Sequence, residues 1–294
     1  MKKSEQRSRF IITLGFAIAC VLILIPFIMI VSVSLSRESD ISDFGYKILP
    51  MHTDLSAYKY LFKNPQSIIN AYKVTFIFST VSMFLSLLLM SMIAYPLTRK
   101  EMRGRGKISF YLYFTMLFSG GLVPTYILLT QYLHLNDTIW VYILPSLINP
   151  WYIFMIRTFF AGIPEEIVES AVLDGASEYK ILAVMILPLS KPVLATVALF
   201  IFLGKWNCWY EAMLYINDDK LVSLQYLLQR VMNNIKLLQD SSVSNMSNLL
   251  SAEEIPSETV RMATAVLVAG PALFVFPFFQ KYFVKGLTVG SVKG

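Results

Sequence analysis

Six apolar stretches constrain what this chain can fold into. Each contains about 20 mainly apolar residues, which is the length that an α-helix needs to cross the hydrocarbon core of a bilayer. Of the 294 residues, 56% are hydrophobic and only 15% are charged, whereas soluble domains carry about 25% charged residues. We therefore predict an all-α polytopic membrane protein with six transmembrane helices. The predicted spans are Phe10–Leu35, Ser67–Thr98, Phe110–Tyr132, Thr138–Phe160, Pro192–Leu214 and Thr259–Phe279.

The first apolar stretch is predicted to be retained as a membrane helix. A secretory signal has an apolar region of only about 7–15 residues, which is followed by a small-residue cleavage site. This stretch reaches Leu35, and no A-x-A pattern follows it. Pro26 lies inside it, but proline is tolerated in membrane helices when neighbouring groups satisfy the carbonyl that it leaves unbonded.

The Lys and Arg residues predict the orientation of the chain. Short connections rich in these residues stay on the cytoplasmic side of a membrane. Fifteen of the 25 basic residues fall in the N-terminal tail, the connection after the second span, the region of Gly162–Pro188 and the C-terminal tail. Both termini are therefore predicted to be cytoplasmic. The basic residues do not form a long run interleaved with aromatic residues, so nucleic acid is not a predicted partner.

The other side of the membrane is predicted to carry two longer connections. Within the second of them, apolar residues recur at helical spacing over Leu221–Val231, which predicts an amphipathic helix lying at the outer interface. The polar run Gln239–Asn248 predicts a flexible loop. The two histidines, His52 and His134, have no second ligand at metal spacing, so we predict no metal site.

A cluster of carboxylates lies between the fourth and fifth spans, in Gly162–Pro188. A helix is predicted over Pro164–Leu173. Proline is favoured at the first position of a helix, and the two glutamates that follow it interact favourably with the helix dipole. Gly175 can end that helix in the left-handed conformation. Ser177 can cap a second helix, which Pro188 is expected to stop. The carboxylates of the cluster are Glu165, Glu166, Glu169, Asp174 and Glu178.

The residues of this pair of helices leave two interpretations open. One is an interfacial helix pair that only connects two spans. The other is a docking element for a soluble partner, which the five carboxylates and the glycine corner favour without naming that partner.

The spacing within Gly162–Pro188 resembles the EAA signature of permeases of ATP-binding-cassette (ABC) importers. The matching residues are Glu169-Ser-Ala, Asp174-Gly-Ala and, after nine intervening residues, Ile186-Leu-Pro. Ser170 departs from the usual alanine. Further matches to the branch that imports oligosaccharides released from polysaccharides bring the resemblance to residues 67–294. They are Gly120-Gly-Leu-Val-Pro-Thr-Tyr126, Arg157–Phe160, Ile163–Glu166, Pro188–Pro192, Trp206-Asn207 with Trp209, and Gln280–Gly286.

This resemblance implies a domain organisation and a fold. It implies the type I importer permease fold, with 1–66 as an N-terminal helix and extracytoplasmic loop, 67–281 as the transmembrane domain and 282–294 as a cytoplasmic tail. It also implies a multi-pass subunit of the bacterial plasma membrane that forms half of a heterodimeric pathway and catalyses no reaction itself.

The resemblance assigns a coupling role to Gly162–Pro188. It implies that a cytoplasmic ABC ATPase dimer binds both helices, that Glu169 pairs with a basic group of the ATPase, and that small residues allow close approach. A second homologous permease, an extracytoplasmic solute-binding protein and membrane lipid are the other implied partners, and the substrate is an oligosaccharide. The implied coupling residues are Glu165, Glu166, Glu169, Ala171, Asp174, Gly175 and Ala176.

The nucleotide site is predicted to lie on another polypeptide. A P-loop needs G-x-x-x-x-G-K-[ST], and the glycine-basic segment Gly104–Lys107 lacks that spacing. We therefore predict no cofactor on this chain, with ATP and Mg²⁺ held by the partner ATPase.

Polar and aromatic residues near the end of the fifth span are candidates for the sugar pathway. Lys205 lies about 20 Å along the helix from Pro192 at 1.5 Å per residue, and ionisable residues inside spans are functional candidates. Aromatic faces stack on sugar rings, and Lys could favour acidic sugars. An aromatic belt with a snorkelling lysine explains the same residues equally simply. The candidates are Lys205, Trp206, Asn207, Trp209 and Glu211.

Two other functions are weighed against import driven by ATP. An ion-coupled secondary transporter would import its substrate without an ATPase. An intramembrane protease would need a G-x-S-G turn and a histidine inside the membrane. Ser119 lacks the preceding glycine, and neither histidine lies well inside a span.

Overall fold

The computed structural model describes residues 2–63, 65–239 and 258–290. Most residues in these ranges are helical, and no β-strand forms within them; the β-type pairing found there is an isolated bridge between Ser36 and Thr53. The all-α prediction is confirmed.

Two long helices dominate the first third of the chain, with two short helices between them. The second long helix continues through a 3-10 turn at Pro96–Thr98. Pro26 lies inside the first helix without ending it, as expected for an apolar membrane helix. The helices are α1 (Lys2–Ser34), α2 (Glu38–Phe44), α3 (Ser56–Leu61) and α4 (Pro65–Ala94).

The middle of the chain is broken into short helices, so the predicted third and fourth spans are not continuous helices. The predicted third span is interrupted after Leu117, and the helical path bends by 110° between its two pieces. Gly121 has a φ of +85° at this break, a conformation that residues with a side chain rarely adopt. The fourth breaks before Pro150, where the side chain of Asn149 caps the new helix through the N–H of Trp151. The helices are α5 (Arg105–Leu117), α6 (Leu122–Ile127, extended by a π-helical turn at Leu128–Tyr132), α7 (Trp140–Ile143, followed by a 3-10 turn at Leu144–Ser146) and α8 (Pro150–Ala161).

The last part of the chain begins with the predicted helix pair and ends in a long helix. The sixth predicted span lies within that long helix, and the amphipathic helix predicted near Leu221 is present but begins at Leu224. The loop predicted over Gln239–Asn248 lies outside the described residues from position 240 onward. The helices are α9 (Glu165–Leu173), α10 (Glu178–Ile181, extended by a π-helical turn at Leu182–Ile186), α11 (Leu187–Leu189), α12 (Lys191–Trp206), α13 (Tyr210–Tyr215, followed by a 3-10 turn at Asp219–Leu221), α14 (Leu224–Gln239) and α15 (Glu258–Gly290).

The predicted number of six spans is not confirmed. In the described residues, two helical segments are long and apolar enough to cross a membrane, Arg9–Ser34 and Pro65–Thr98. Two bent pairs bring the number to four if each pair is a single span, namely α5 with α6 and Glu178–Leu189 with α12. Hydropathy predicted six because the apolar composition continues through the bends, and a bend leaves no trace in average hydropathy.

The described residues fall into two compact units, one drawn from Met1–Ile68 and Leu227–Pro271 and the other from Ile69–Tyr226 and Ala272–Gly294. In the first unit, the Glu38 carboxylate of α2 accepts hydrogen bonds from the backbone N–H groups of Glu258 and Thr259, at 2.9 and 3.0 Å. A carboxylate at that position satisfies donors of the first turn of α15 and interacts favourably with its dipole.

The second unit has one large apolar core. It joins the C-terminal half of α4 to α8, α9, the α10 segment and α12. Ser79, Ser82 and Ser86 of α4 are also buried, in keeping with packing through small residues. Their hydroxyl groups have no hydrogen-bond partner among the described residues.

Candidate coupling site

The helix–corner–helix predicted in Gly162–Pro188 is present. The N–H of Ala176 donates to the carbonyl of Ala171 and that of Gly175 to the carbonyl of Val172, both at 3.0 Å. Gly175 has a φ of +75°. This pair of bonds closing on a left-handed glycine is a Schellman motif, so the prediction that Gly175 ends the first helix is confirmed.

The boundaries of the pair differ slightly from the prediction. Pro164 is the residue before α9 rather than its first residue. Ser177 caps α10 as predicted, accepting from the N–H of Lys180 at 3.4 Å. Pro188 lies inside α11, and the helical path ends at Leu189, where the chain turns by 82° into α12. The π-helical turn at Leu182–Ile186 precedes Pro188, which has no N–H for a regular helical bond.

Both helices of the pair rest on the apolar core by their buried faces. Val168 and Ala171 of α9 are buried, as are Ile181, Leu182 and Ile186 after the corner. At 25–30 cal/mol per Å² of apolar surface, the Val, Leu and Ile side chains among them contribute about 1.5–3 kcal/mol each when fully buried. The pair is therefore held on the core. Ala171 belongs to this buried face, so its small side chain lets α9 lie close to the chain's own core.

The carboxylates divide into two groups. Glu166, Glu169 and Asp174 are exposed, and no described Lys or Arg lies within salt-bridge distance of them. Glu165 and Glu178 instead have partners within the chain. The polar outer face of α9 can therefore accept a basic partner at three of the five carboxylates.

The loop after α4 supplies the partners of Glu165 and Glu178. Lys100 Nζ lies 2.8 Å from Glu165 Oε2, and the hydrogen bond and charge of Lys100 lower the pKa of Glu165. Tyr95 Oη donates to Glu178 Oε2 at 2.5 Å, and Arg99 lies 3.5 Å from Glu178 Oε1. The contacts of this loop were not predicted, because its basic residues indicate membrane topology and no local sequence pattern distinguishes Tyr95.

Arg157 holds the same loop from the other side. Its Nε donates to the carbonyl of Leu97 at 3.1 Å, and its NH1 group donates to Ser109 Oγ at 3.4 Å. A cavity of about 480 Å³ lies between the loop and α10. Its lining residues are Met92, Tyr95, Pro96, Arg99, Glu101, Met102, Glu178, Tyr179 and Leu182.

The predicted pathway residues lie together at the end of α12, but with different exposure. Lys205 is 7% exposed and donates to the backbone carbonyl of Tyr142. Trp206 is also buried and stacks on Phe202 at 5.8 Å between ring centroids. In this conformation the buried pair has a structural role within the chain.

The other pathway candidates follow the end of that helix. Asn207 and Trp209 are exposed. Asn207 Nδ2 donates to the carbonyl of Leu203 at 2.9 Å, and Glu211 accepts from Cys208 Sγ at 3.0 Å. Asn207 and Trp209 are therefore the candidates whose surfaces are accessible.

Known proteins with similar sequences include transport system permeases. The protein LplC of Bacillus subtilis is 38% identical over 271 residues, which cover 92% of this chain and 90% of that protein. The polygalacturonan/rhamnogalacturonan transport system permease protein YtcP of Bacillus subtilis is 37% identical over 96% of this chain and 95% of its own length. The arabinooligosaccharides transport system permease protein AraQ of Halalkalibacterium halodurans is 27% identical, covering 100% of this chain and 99% of that protein. No protein-family model matches the chain.

A solved structure has the same fold. It is the crystal structure of a bacterial ABC transporter involved in the import of the acidic polysaccharide alginate. The TM-score is 0.79 with 28% sequence identity, over 95% of this chain and 98% of that one. With relatives above 30% identity along almost its whole length and this shared fold, the chain belongs to the permease subunits of ABC carbohydrate importers.

Proposed function

We propose that the α9–α10 pair couples this permease to a cytoplasmic ABC ATPase dimer. The observation that carries the proposal is the set of exposed carboxylates at Glu166 and Glu169 of α9 and at Asp174 directly after it, while the opposite face of α9 is anchored in the core. A surface of this kind suits basic groups of a soluble partner. Glu165 contributes through its internal pair with Lys100. Gly175 and Ala176 form the corner that turns the second helix back.

The complete importer that we propose has three further kinds of component. A second permease completes the pathway, the ATPase dimer carries ATP and Mg²⁺, and an extracytoplasmic solute-binding protein delivers the sugar. Both termini of this subunit lie in the cytoplasm, and six segments cross the plasma membrane when bent and broken segments are counted. Membership of the family supports this assembly, because ABC importers distribute these tasks over separate subunits.

The proposed substrate is an oligosaccharide that contains uronic acids. The support comes from the names of two similar proteins, one for polygalacturonan and rhamnogalacturonan and one for alginate. Asn207 and Trp209 are the accessible pathway candidates, and Lys205, Trp206 and Glu211 shape the end of α12 behind them. The test is competition for uptake between an acidic oligosaccharide and a neutral one of the same length. Preference for the neutral sugar would contradict this substrate class.

The coupling proposal is tested by reversing one charge. We expect Glu169→Lys to prevent co-purification of the ATPase and to abolish sugar uptake, because a like charge would then face the basic groups of the partner. Asp43→Lys is the matched control, since Asp43 is an exposed carboxylate of α2 outside the pair. Membrane insertion, measured by the amount of folded permease in membranes, should equal that of the wild type in both variants. Normal uptake by the Glu169→Lys variant would disprove the coupling role.

A further inference from the structure

The loop after α4 contacts both helices of the proposed coupling pair, α9 and α10, at their first residues. Glu165 begins α9 and pairs with Lys100 at 2.8 Å. Glu178 begins α10 and accepts from Tyr95 at 2.5 Å. Six consecutive residues of one loop, Tyr95–Lys100, thus hold both helix starts, which lie 13 positions apart in the sequence.

The first residues of this loop continue the helical path of α4. The N–H of Tyr95 donates to the carbonyl of Ser91 at 3.0 Å, and the N–H groups of Thr98 and Arg99 continue the helical bonding onto Tyr95 and Pro96. The Thr98 hydroxyl also donates to the carbonyl of Tyr95 at 2.7 Å. A displacement of the loop therefore moves the end of α4 with it.

Close packing supports the same connection. Tyr95 and Leu97 are buried in the apolar core that also contains Ala171 and Ile181 of the coupling pair. Protein interiors are packed as densely as organic crystals and pass displacement on instead of absorbing it. Arg157 adds a bond from α8 to the carbonyl of Leu97.

The cavity lies beside the polar contacts of Glu178. Met102 and Leu182 line it, together with Tyr95, Arg99 and Glu178. Packing is incomplete there, so Tyr95 and Arg99 provide direct polar contact with Glu178 at the edge of that space.

We infer that Tyr95, Arg99 and Lys100 are positioning residues that transmit movement of the coupling pair to α4 through Glu165 and Glu178. This inference rests on the proposed coupling function of α9 and α10. It assigns the carboxylates two tasks. Glu169 faces the ATPase, whereas Glu165 and Glu178 hold the permease's own loop. A change at the loop should therefore weaken coupling without removing the ATPase.

A charge swap tests the Lys100–Glu165 contact in the assembled transporter. The variants are Lys100→Glu, Glu165→Lys and the double variant, reconstituted with the second permease, the ATPase and the binding protein. We expect each single variant to retain the ATPase but to transport about 3- to 10-fold less sugar per ATP hydrolysed, the range for a modest coupling free energy. The double variant should recover to within about 2-fold of the wild type, because it restores an ion pair of opposite polarity. Arg103→Glu is the matched control, an equal charge change at an exposed position with no described carboxylate in contact.

A second pair of variants tests the contact at Glu178. Tyr95→Phe removes one hydroxyl and keeps the buried ring, and Glu178→Met removes the carboxylate that accepts from that hydroxyl. We expect each to lower the sugar transported per ATP, and the double variant to be no worse than the more affected single variant, because both remove the same bond.

Three results would overturn the inference. They are wild-type coupling in all single variants, a double charge swap no better than its single variants, or loss of ATPase co-purification in the loop variants. The proposed function fails by a different result. The proposed coupling function is wrong if the Glu169→Lys variant retains both the ATPase and normal uptake, whatever the loop variants show.

Discussion

At the residue scale, the coupling pair depends on one backbone conformation and on a few charged contacts. Gly175 is in the left-handed region, and a Cβ built there meets nothing within 4 Å. The requirement for glycine is therefore conformational and not a matter of space. The two outer carboxylates, Glu165 and Glu178, make contacts within the chain, whereas the three between them form the surface that we assign to a partner.

Replacement of that glycine should destabilise the corner by a predictable amount. We expect Gly175→Ala to lower the free energy of unfolding by about 1–2 kcal/mol, the cost of the left-handed conformation for a residue with a Cβ. Gly106→Ala is the control, since a Cβ there also meets nothing within 4 Å but φ is not in the left-handed region. Thermal unfolding of the purified permease measures both changes. An equal loss in the two variants would contradict the conformational explanation.

The Lys100–Glu165 pair should be visible in the titration of Glu165. Lys100 lowers the pKa of this carboxyl from the ordinary value of 4.5, and Glu165 in turn raises the pKa of Lys100. The contribution of the pair from the carboxylate is thus complete above pH 4.5 and is lost as the pH falls through the lower, folded pKa. NMR of ¹³C-labelled glutamate should show a midpoint below 4.5 that rises toward 4.5 in Lys100→Met. An unchanged midpoint in that variant would exclude the contact in solution.

At the element scale, the coupling pair is an amphipathic unit whose apolar side belongs to the core. Its second helix changes to π-helical geometry ahead of Pro188, because proline cannot donate the regular bond to the preceding turn. The apolar residues after the corner therefore divide into a fully buried set and an exposed set within a few positions.

Truncation of a buried side chain should weaken the packing of α10 against the apolar core. Ile181 is 0% exposed, whereas Val184, three residues on, is 62% exposed. We expect Ile181→Ala to cost about 2–5 kcal/mol of stability and to reduce uptake, because a cavity opens under α10. Val184→Ala should change stability by less than about 0.5 kcal/mol. Thermal unfolding and uptake assays on both variants provide the measurement, and a larger effect at Val184 would show that α10 packs by its other face.

At the scale of the whole molecule, orientation in the membrane decides whether the coupling pair can meet an ATPase. The basic residues of the connection after α4 predict that this side is cytoplasmic. The same connection contains Lys100, which contacts α9. The loop and the coupling pair must therefore lie on one side of the membrane.

Cysteine labelling tests that orientation. After replacement of Cys20 and Cys208, we expect Arg103→Cys to react with a membrane-impermeant maleimide only in inside-out vesicles. Lys220→Cys, in the loop before α14, should react only from outside intact cells. Both positions are exposed, so neither result depends on unfolding. The reverse pattern would place the coupling pair outside the cell.

The corner between α9 and α10 was predictable because the residues that form it lie within a few positions of one another. The Schellman corner needs a glycine, and the cap of α10 needs a serine or similar residue a few positions away. The spans were less predictable. Their apolar composition continues through Gly121 and Pro150, so hydropathy predicted continuous helices where the chain bends.

By itself, the sequence determined that the chain is helical and apolar, where the coupling corner lies, and which family the chain resembles. These properties depend on composition, periodicity and residues within a few positions of one another. Only the tertiary structure decided which carboxylates are available to a partner. The partners of Glu165 and Glu178 lie 65 and 83 positions away, and no local pattern encodes such a pair, because it forms only when the core brings α4 and the coupling helices together.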